Sequence, residues 1–282
     1  MSFNVWKSLI DGTEIDVSAI PDSVVSRWLL NEGSGTTAED DVGDNDGSVT
    51  GATWESDGTV GDYLDFSGGD DEYVTVPYDS ELDVDDQTGV TISVWVYVEG
   101  DPSENATVFS NHDSDADNGY TLQLGGENLA NGNETRRVVP RFGERSYFSD
   151  SDAVDDFYDH IVPVGEWHHL SIAAEGEEAR LIAHDADGNE EANEVLSISD
   201  TNGWSTQDSQ DHHLGTPSWN VGGDTMFGGL RNATIHDAKL SESEQQDEHQ
   251  RADWIGGGSG KLNSAVLTQE EDTVIAGDMY VY

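Results

Sequence analysis

The sequence contains no cysteine, so neither a disulfide framework nor a thiolate metal site is available. Lysine is almost missing: Lys7, Lys239 and Lys261 are the whole set. No apolar run approaches the ~18 residues that a membrane-spanning helix needs. The segment from Met1 to Asp16 lacks the basic stretch followed by an apolar stretch of a secretory signal. From this the chain is expected to stay inside the cell, or to leave it by assembling into a particle. Hydrophobic residues reach only 34%, which together with high charge is a disorder signature. The 24 aromatic residues argue the other way, because they recur within β-patterned runs.

What replaces the missing groups is acid. Asp and Glu total 59 against 11 Lys and Arg, a formal charge of −48 over 282 residues. At low ionic strength such a chain repels itself. In molar salt the Debye length falls to about 3 Å and the repulsion is screened. An acidic, lysine-poor surface therefore predicts adaptation to high salt. The same charge argues against nucleic acid as a partner, since phosphates would be repelled.

Three segments are visible. Residues 1–22 form a lead with Trp6, Leu9 and Ile10, ended by Pro21, and are read as a docking arm. Residues 23–255 carry short β-patterned runs between Gly, Asp and Asn. Residues 256–282 start with a Gly-rich linker and contain two strand-like runs, Ala265–Thr268 and Asp278–Tyr282. The strongest strand signal is Val90 to Val98, with Val90, Ile92, Val94, Val96 and Val98 on one face and Trp95 and Tyr97 on the other. Apolar groups on both faces predict a central strand. Further strands are expected at 24–30, 73–76, 120–124, 167–174, 179–184 and 234–236, with a turn at Asp187-Gly188-Asn189. Ser241 and Glu244 form a capping box that opens one short helix. The pattern predicts an all-β, two-sheet antiparallel sandwich.

The run Arg27-Trp28-Leu29-Leu30-Asn31-Glu32-Gly33-Ser34-Gly35-Thr36, then Gly47 to Trp54 and Gly61 to Gly68, follows an order shared with a known family. So do Tyr73–Pro77, Leu82-Asp83-Val84, Thr91–Val96, Gly165–Leu170 and Gly229–Leu240. The chain resembles the laminin G-like/concanavalin A-like jelly rolls over roughly residues 23–250. The resemblance implies two curved antiparallel sheets, and a role in ligand or glycan binding, protein contact or pure structure. One departure is visible. Where many members carry Asp-Glu after the glycine of the closing strand, this chain has Arg231-Asn232, which removes a ligand from the usual calcium site.

Several groups carry candidate chemistry. Trp204 and Trp219, in Gly/Ser/Asn-rich loops, suit sugar stacking. Arg136, Arg137, Arg141 and Arg145 place half of all arginines within ten residues, a bias toward an acidic subunit or an anionic glycan. Asp113, Asp115 and Asp117 alternate as in a calcium loop, but the twelfth position falls on Leu124, so the EF-hand pattern fails. No cofactor is required by any motif, and calcium or another cation is the expectation for that loop. Asp185-Ala186-Asp187-Gly188-Asn189 is a weaker version of it. Glu81-Leu82-Asp83-Val84-Asp85 resembles the acidic strand of glycoside hydrolases of this fold, where two carboxylates about 5–5.5 Å apart are needed. The second glutamate is missing, and no catalytic residue is assigned. His168-His169 and His212-His213 cannot chelate from one sheet face, because strand neighbours point opposite ways.

Together these observations predict a non-enzymatic structural virion protein of a halophilic archaeal virus, such as a capsid turret, decoration or tail appendage. Its expected partners are copies of itself, other virion proteins and a host-surface glycan. The alternatives are a haloarchaeal surface or secreted adhesin and, behind it, a glycoside hydrolase.

Overall fold

The computed structural model describes residues 8–10, 13–15, 21–58, 60–99, 106–112, 118–125, 135–143, 161–198, 204–206 and 210–254. Its strands, in chain order, are β1 (Ser8–Ile10), β2 (Thr13–Ile15), β3 (Val24–Trp28), β4 (Thr37–Ala38), β5 (Gly47–Thr50), β6 (Thr53–Asp57), β7 (Gly61–Ser67), β8 (Tyr73–Val76) and β9 (Val90–Val98). They continue with β10 (Ala106–Ser110), β11 (Tyr120–Gly125), β12 (Thr135–Phe142), β13 (Ile161–Pro163), β14 (Trp167–Glu175), β15 (Glu178–Asp185), β16 (Glu190–Ser197), β17 (His212–Leu214) and β18 (Phe227–His236). A helix, α1 (Glu242–Trp254), closes the described chain.

Two antiparallel sheets stack. The first runs β16-β15-β14-β9-β18-β7-β6, with β3 also paired to β18. The second runs β13-β12-β11-β10-β17-β8-β5-β4. β1 and β2 form a two-stranded ladder of their own. The strands expected between residues 24 and 236 are present. β9 is central, bonded to β14 on one side and β18 on the other. The C-terminal runs at 265–268 and 278–282, and the linker before them, lie outside the described residues.

The alternation read from the sequence decides the core. Val90, Ile92, Val94, Val96 and Val98 meet Val74, Val76, Phe109, Leu122 and Leu124 of the other sheet in one buried cluster. Each such side chain is worth about 1.5–3 kcal/mol on leaving water. Trp28 is fully buried at its centre, with its ring 6.1 Å from that of Phe109 and its Nε1–H donated to Asn45 O at 2.8 Å. Carboxylates near this core are held by several donors. Asp40 accepts from Ser26 Oγ, Arg27 N and Val42 N at 2.7–3.0 Å. Burial opposes its ionisation, but these bonds outweigh burial and hold its carboxyl below the usual range.

The outer face of the first sheet is partly covered by α1. The capping box is formed: Ser241 N donates to Glu244 Oε2 at 2.8 Å and Glu244 N to Ser241 Oγ at 3.4 Å. The buried side of the helix is polar. Gln245 donates to Ser171 O and Arg180 O, and Glu248 lies 3.5 Å from His236 Nε2. His249 stacks on His184 at 4.6 Å and packs 5.9 Å from His169 and 5.5 Å from Trp95. Gly188 makes room for it, since a Cβ there would stand 2.9 Å from the His249 ring.

These histidines are folded as neutral groups. Burial, then the neighbouring His184, lowers His249 to about 4, and burial lowers His169 and His184 as well. An unfolded histidine titrates near ~6.5, so between these values the unfolded chain binds more protons. The stability from neutral His249 is therefore present above pH ~6.5 and lost as the pH falls toward 4. Thermal unfolding of the protein and of His249→Gln, in molar salt from pH 7 to 4, should show the wild-type advantage shrinking with acidity. A Tm difference independent of pH would contradict this assignment.

Candidate functional site

One row of residues crosses the second sheet on the side away from the core. The register places Thr37 opposite Ser48, Ser48 opposite Thr75, Thr75 opposite His213, His213 opposite Ser110, Ser110 opposite Thr121 and Thr121 opposite Arg141. Their chain neighbours Ala38, Val74, Leu214, Phe109, Leu122 and Phe142 belong to the core, so alternation turns the row outward. Six steps of ~4.8 Å make it about 29 Å long. A bulge between Thr107 and Phe109 keeps both Thr107 and Ser110 on this outer side.

The row changes from open to closed along its length. Thr37, Ser48 and Thr50 are exposed, Tyr73 and Thr75 half-buried, and His213, Ser110, Thr121 and Gln123 buried. The Tyr73 ring stands near edge-on to His213, with centroids 6.3 Å apart. Behind it, Gln123 donates to Thr107 Oγ1 at 3.0 Å. Gln123 Oε1 and His213 Nδ1 have no hydrogen-bond partner among the described residues, although Gln123 is 1% exposed. Burying an unbonded polar atom costs about 1–3 kcal/mol, so each such group calls for an explanation, an ordered water among them. Burial holds His213 below the usual histidine range, against a smaller opposite effect of Asp211. Beside His213, Ser110 Oγ lies 2.8 Å from Ser218 Oγ, Ser218 Oγ accepts from His112 N, and the Trp219 ring meets His112 at 5.3 Å.

The composition of this sheet differs from the rest of the molecule. Its eight strands, thirty-five residues, contain no Asp or Glu and three arginines. The eight strands of the other sheet contain ten carboxylates.

The sequence-derived candidates fall unevenly. Trp204 is not a platform. It is 2% exposed, packed against Phe142 at 5.2 Å, with its Nε1–H donated to Gly176 O. Loop composition suggested exposure, but the loop folds back onto the core, so the stacking role is withdrawn. Trp219 is half-exposed against His112, and Arg141 is half-buried at one end of the polar row. Arg136 and Arg137 are placed by backbone alone, opposite Val162 and Ile161 in β12 and β13. Arg145 and the carboxylates Asp113, Asp115 and Asp117 lie outside the described residues.

Asp185 caps its own turn, accepting from Asp187 N and from both Asn189 N and Nδ2. Asp83 accepts from Tyr78 Oη at 3.0 Å and Thr206 Oγ1 at 3.2 Å, while Asp85 accepts from Gln87 N and Thr88 N. The segment between Pro77 and Gln87 holds a 3-10 turn at Ser80–Leu82 rather than a strand carrying both carboxylates. Asn232, within an N-glycosylation triplet, is buried at φ 55° and is closed as an acceptor. Among the described residues no three His, Asp or Glu side chains are arranged to share a metal ion, and no helix is long and apolar enough to cross a membrane. Tyr73, Thr75 and Gln123 were not singled out from the sequence, and His213 was weighed only as half of a metal-binding pair. The available signal was the run of segments free of acid.

No curated protein matches the sequence. Solved structures match in fold. The binding domain of Paraclostridial Mosquitocidal Protein 1 superposes with a TM-score of 0.53 at 17% identity, over 80% of this chain and 51% of that one. Domain 4 of AbnA, a GH43 extracellular arabinanase from Geobacillus stearothermophilus, solved with arabinotriose, gives 0.53 at 16% identity over 80% of this chain and 97% of that one. A Trypanosoma rangeli sialidase mutant gives 0.55 at 14% identity, over 79% of this chain and 32% of that one. This chain thus spans about half of the mosquitocidal domain and a third of the sialidase. The family model described as the concanavalin A-like lectin/glucanases superfamily, of laminin G type, matches residues 67–244. Two stacked antiparallel sheets, one short helix and this match place the chain in the concanavalin A-like lectin/glucanases superfamily.

Proposed function

We propose that the chain is a non-catalytic glycan-binding module whose ligand lies on the outer face of the second sheet, over Tyr73 and Thr75 and against His213. The observation that carries this reading is the half-exposed Tyr73 ring beside the His213 ring, whose Nδ1 has no partner among the described residues. An aromatic face with adjacent hydroxyls and a ring nitrogen suits the apolar face and hydroxyl rim of a sugar. The superfamily supports it, as does the shared fold of an arabinanase domain that was solved with arabinotriose. A binding rather than hydrolytic role is supported by the engagement of Asp83 and Asp85 in local hydrogen bonds.

A structural role in the particle of a halophilic archaeal virus is the second reading, with a haloarchaeal surface adhesin as its alternative. The −48 charge favours a salt-rich setting. The β1–β2 ladder, which pairs with neither large sheet among the described residues, favours assembly through the N-terminal arm. A homo-oligomer in molar salt, measured by light scattering and dissociated by removing residues 1–20, supports the particle role. A monomer under those conditions contradicts it.

Two variants test the binding face. Tyr73→Ala should weaken glycan binding at least tenfold while shifting the unfolding free energy by about 1 kcal/mol or less, as for a half-exposed side chain. The double variant Thr107→Val/Gln123→Met replaces a bonded polar pair by apolar groups of similar shape. Such replacements are nearly neutral or stabilising, so the free protein should keep its stability within about 1 kcal/mol and lose glycan affinity. Undiminished binding by both variants on a glycan array would contradict the assignment.

A further inference from the structure

We propose that the outer face of the first sheet binds a small organic cation of the quaternary ammonium type, on Tyr63, Tyr97 and Trp167 and within a rim formed by Glu55, Asp65 and Glu99. This site is independent of the glycan face, which lies on the other sheet. Leu64 and Phe66 of β7 and Val96 and Val98 of β9 belong to the core, so alternation turns Tyr63, Asp65 and Tyr97 outward. Register sets Trp167 opposite Tyr97, Tyr97 opposite Gly229, Gly229 opposite Asp65, and Glu55 opposite Tyr63. Gly229 is the floor of the group. A Cβ there would stand 2.7 Å from both the Trp167 and the Tyr63 rings, so these rings close over bare backbone. The Trp167 ring lies 5.1 Å from that of Tyr63, near edge-on, and 5.4 Å from that of Tyr97. With Val60 and Trp95 they form an apolar cluster separate from the sandwich core.

The helix covers another part of this face. It bonds to Ser93, Ser171 and Arg180, and its His249 packs on Trp95. Tyr63, Tyr97 and Asp65 stay half-exposed, Glu55 and Glu99 are exposed, and Trp167 is buried behind them. Burial, then the charges of Glu99, Glu55 and Glu72, hold the Asp65 carboxyl above its usual range. Burial, then Asp65, Glu55, Asp57 and Glu99, push up the Tyr63 hydroxyl. The charges that act on this spot are thus all negative. Of these carboxylates, Glu72 is already engaged by Ser67 and Gly69. The chain's own cation on this face, Arg231, is set two residues along β18, opposite Trp95, and is buried. Carboxylates alone are common on this chain; here they surround aromatic rings. A cation within ~6 Å of such rings is attracted by their faces. Sodium and potassium hold their water, whereas a methylated ammonium presents apolar surface to the rings and charge to the rim.

The test compares two probes of one shape, choline and 3,3-dimethylbutan-1-ol, in which carbon replaces the charged nitrogen. Both are titrated into the full chain in molar sodium chloride, with binding read by ligand-observed NMR. Screening there leaves only contacts within about 3 Å at full strength. Choline should bind about tenfold more tightly than the neutral alcohol. Tyr63→Leu keeps apolar bulk over Gly229 and removes the aromatic face, so it should weaken choline about tenfold and leave the alcohol within about twofold. Asp65→Asn removes a repelled carboxylate, so it should keep or raise the Tm while weakening choline about threefold. Equal affinity for the two probes, or no choline binding, would overturn the proposal. Choline affinity unchanged in both variants would overturn it by placing the contact elsewhere. Displacement of choline by equimolar calcium would also overturn it, by showing a site of carboxylate oxygens that does not need the rings.

Discussion

A chain of charge −48 must decide where carboxylates are allowed, and that placement governs the rest of this structure. No disulfide can hold the sheets together, and few cations are available for ion pairs. Cohesion therefore comes from apolar contact between two sheets, while the half-buried carboxylate of Asp40 is tied down by several donors. Acid is pushed into loops and onto the first sheet. The second sheet is left free of it.

The outer faces of the two sheets accordingly differ in kind. On the first, α1 docks through Gln245, Glu248 and His249 rather than through an apolar stripe. A neutral histidine cluster lies beneath it, among surrounding carboxylates. On the second, hydroxyls, a histidine and an arginine share one row, with Tyr73 and Gln123 in the row beside it. The first face is partly covered by α1. On both faces some buried polar atoms, such as His169 Nδ1 on the first and Gln123 Oε1 on the second, have no hydrogen-bond partner among the described residues.

Much of the fold was legible because its signals are local. The alternation of Val90–Val98 predicted both the strand and its central position, and Ser241 with Glu244 predicted the helix start. The site was less legible, because it is assembled by register. Thr75, His213, Ser110 and Thr121 are scattered from residue 75 to 213 and become neighbours only when four strands pair. Trp204 misled for the same reason: its loop reads as exposed, but its partners Phe142 and Gly176 are distant in sequence. The histidine pair at 168–169 was rightly read as pointing two ways, yet the cross-strand partner of His169, His184, could not be seen without the β14–β15 register.

The account places a glycan on the acid-free sheet, and the location of the bound ligand is its most direct test. Amide hydrogen exchange, with and without a saturating oligosaccharide in molar salt, would map the contact. Slowed exchange concentrated in residues 47–50, 73–78 and 210–214 is the predicted result. A footprint confined to the outer face of the first sheet, around α1 and residues 53–65, would contradict the account.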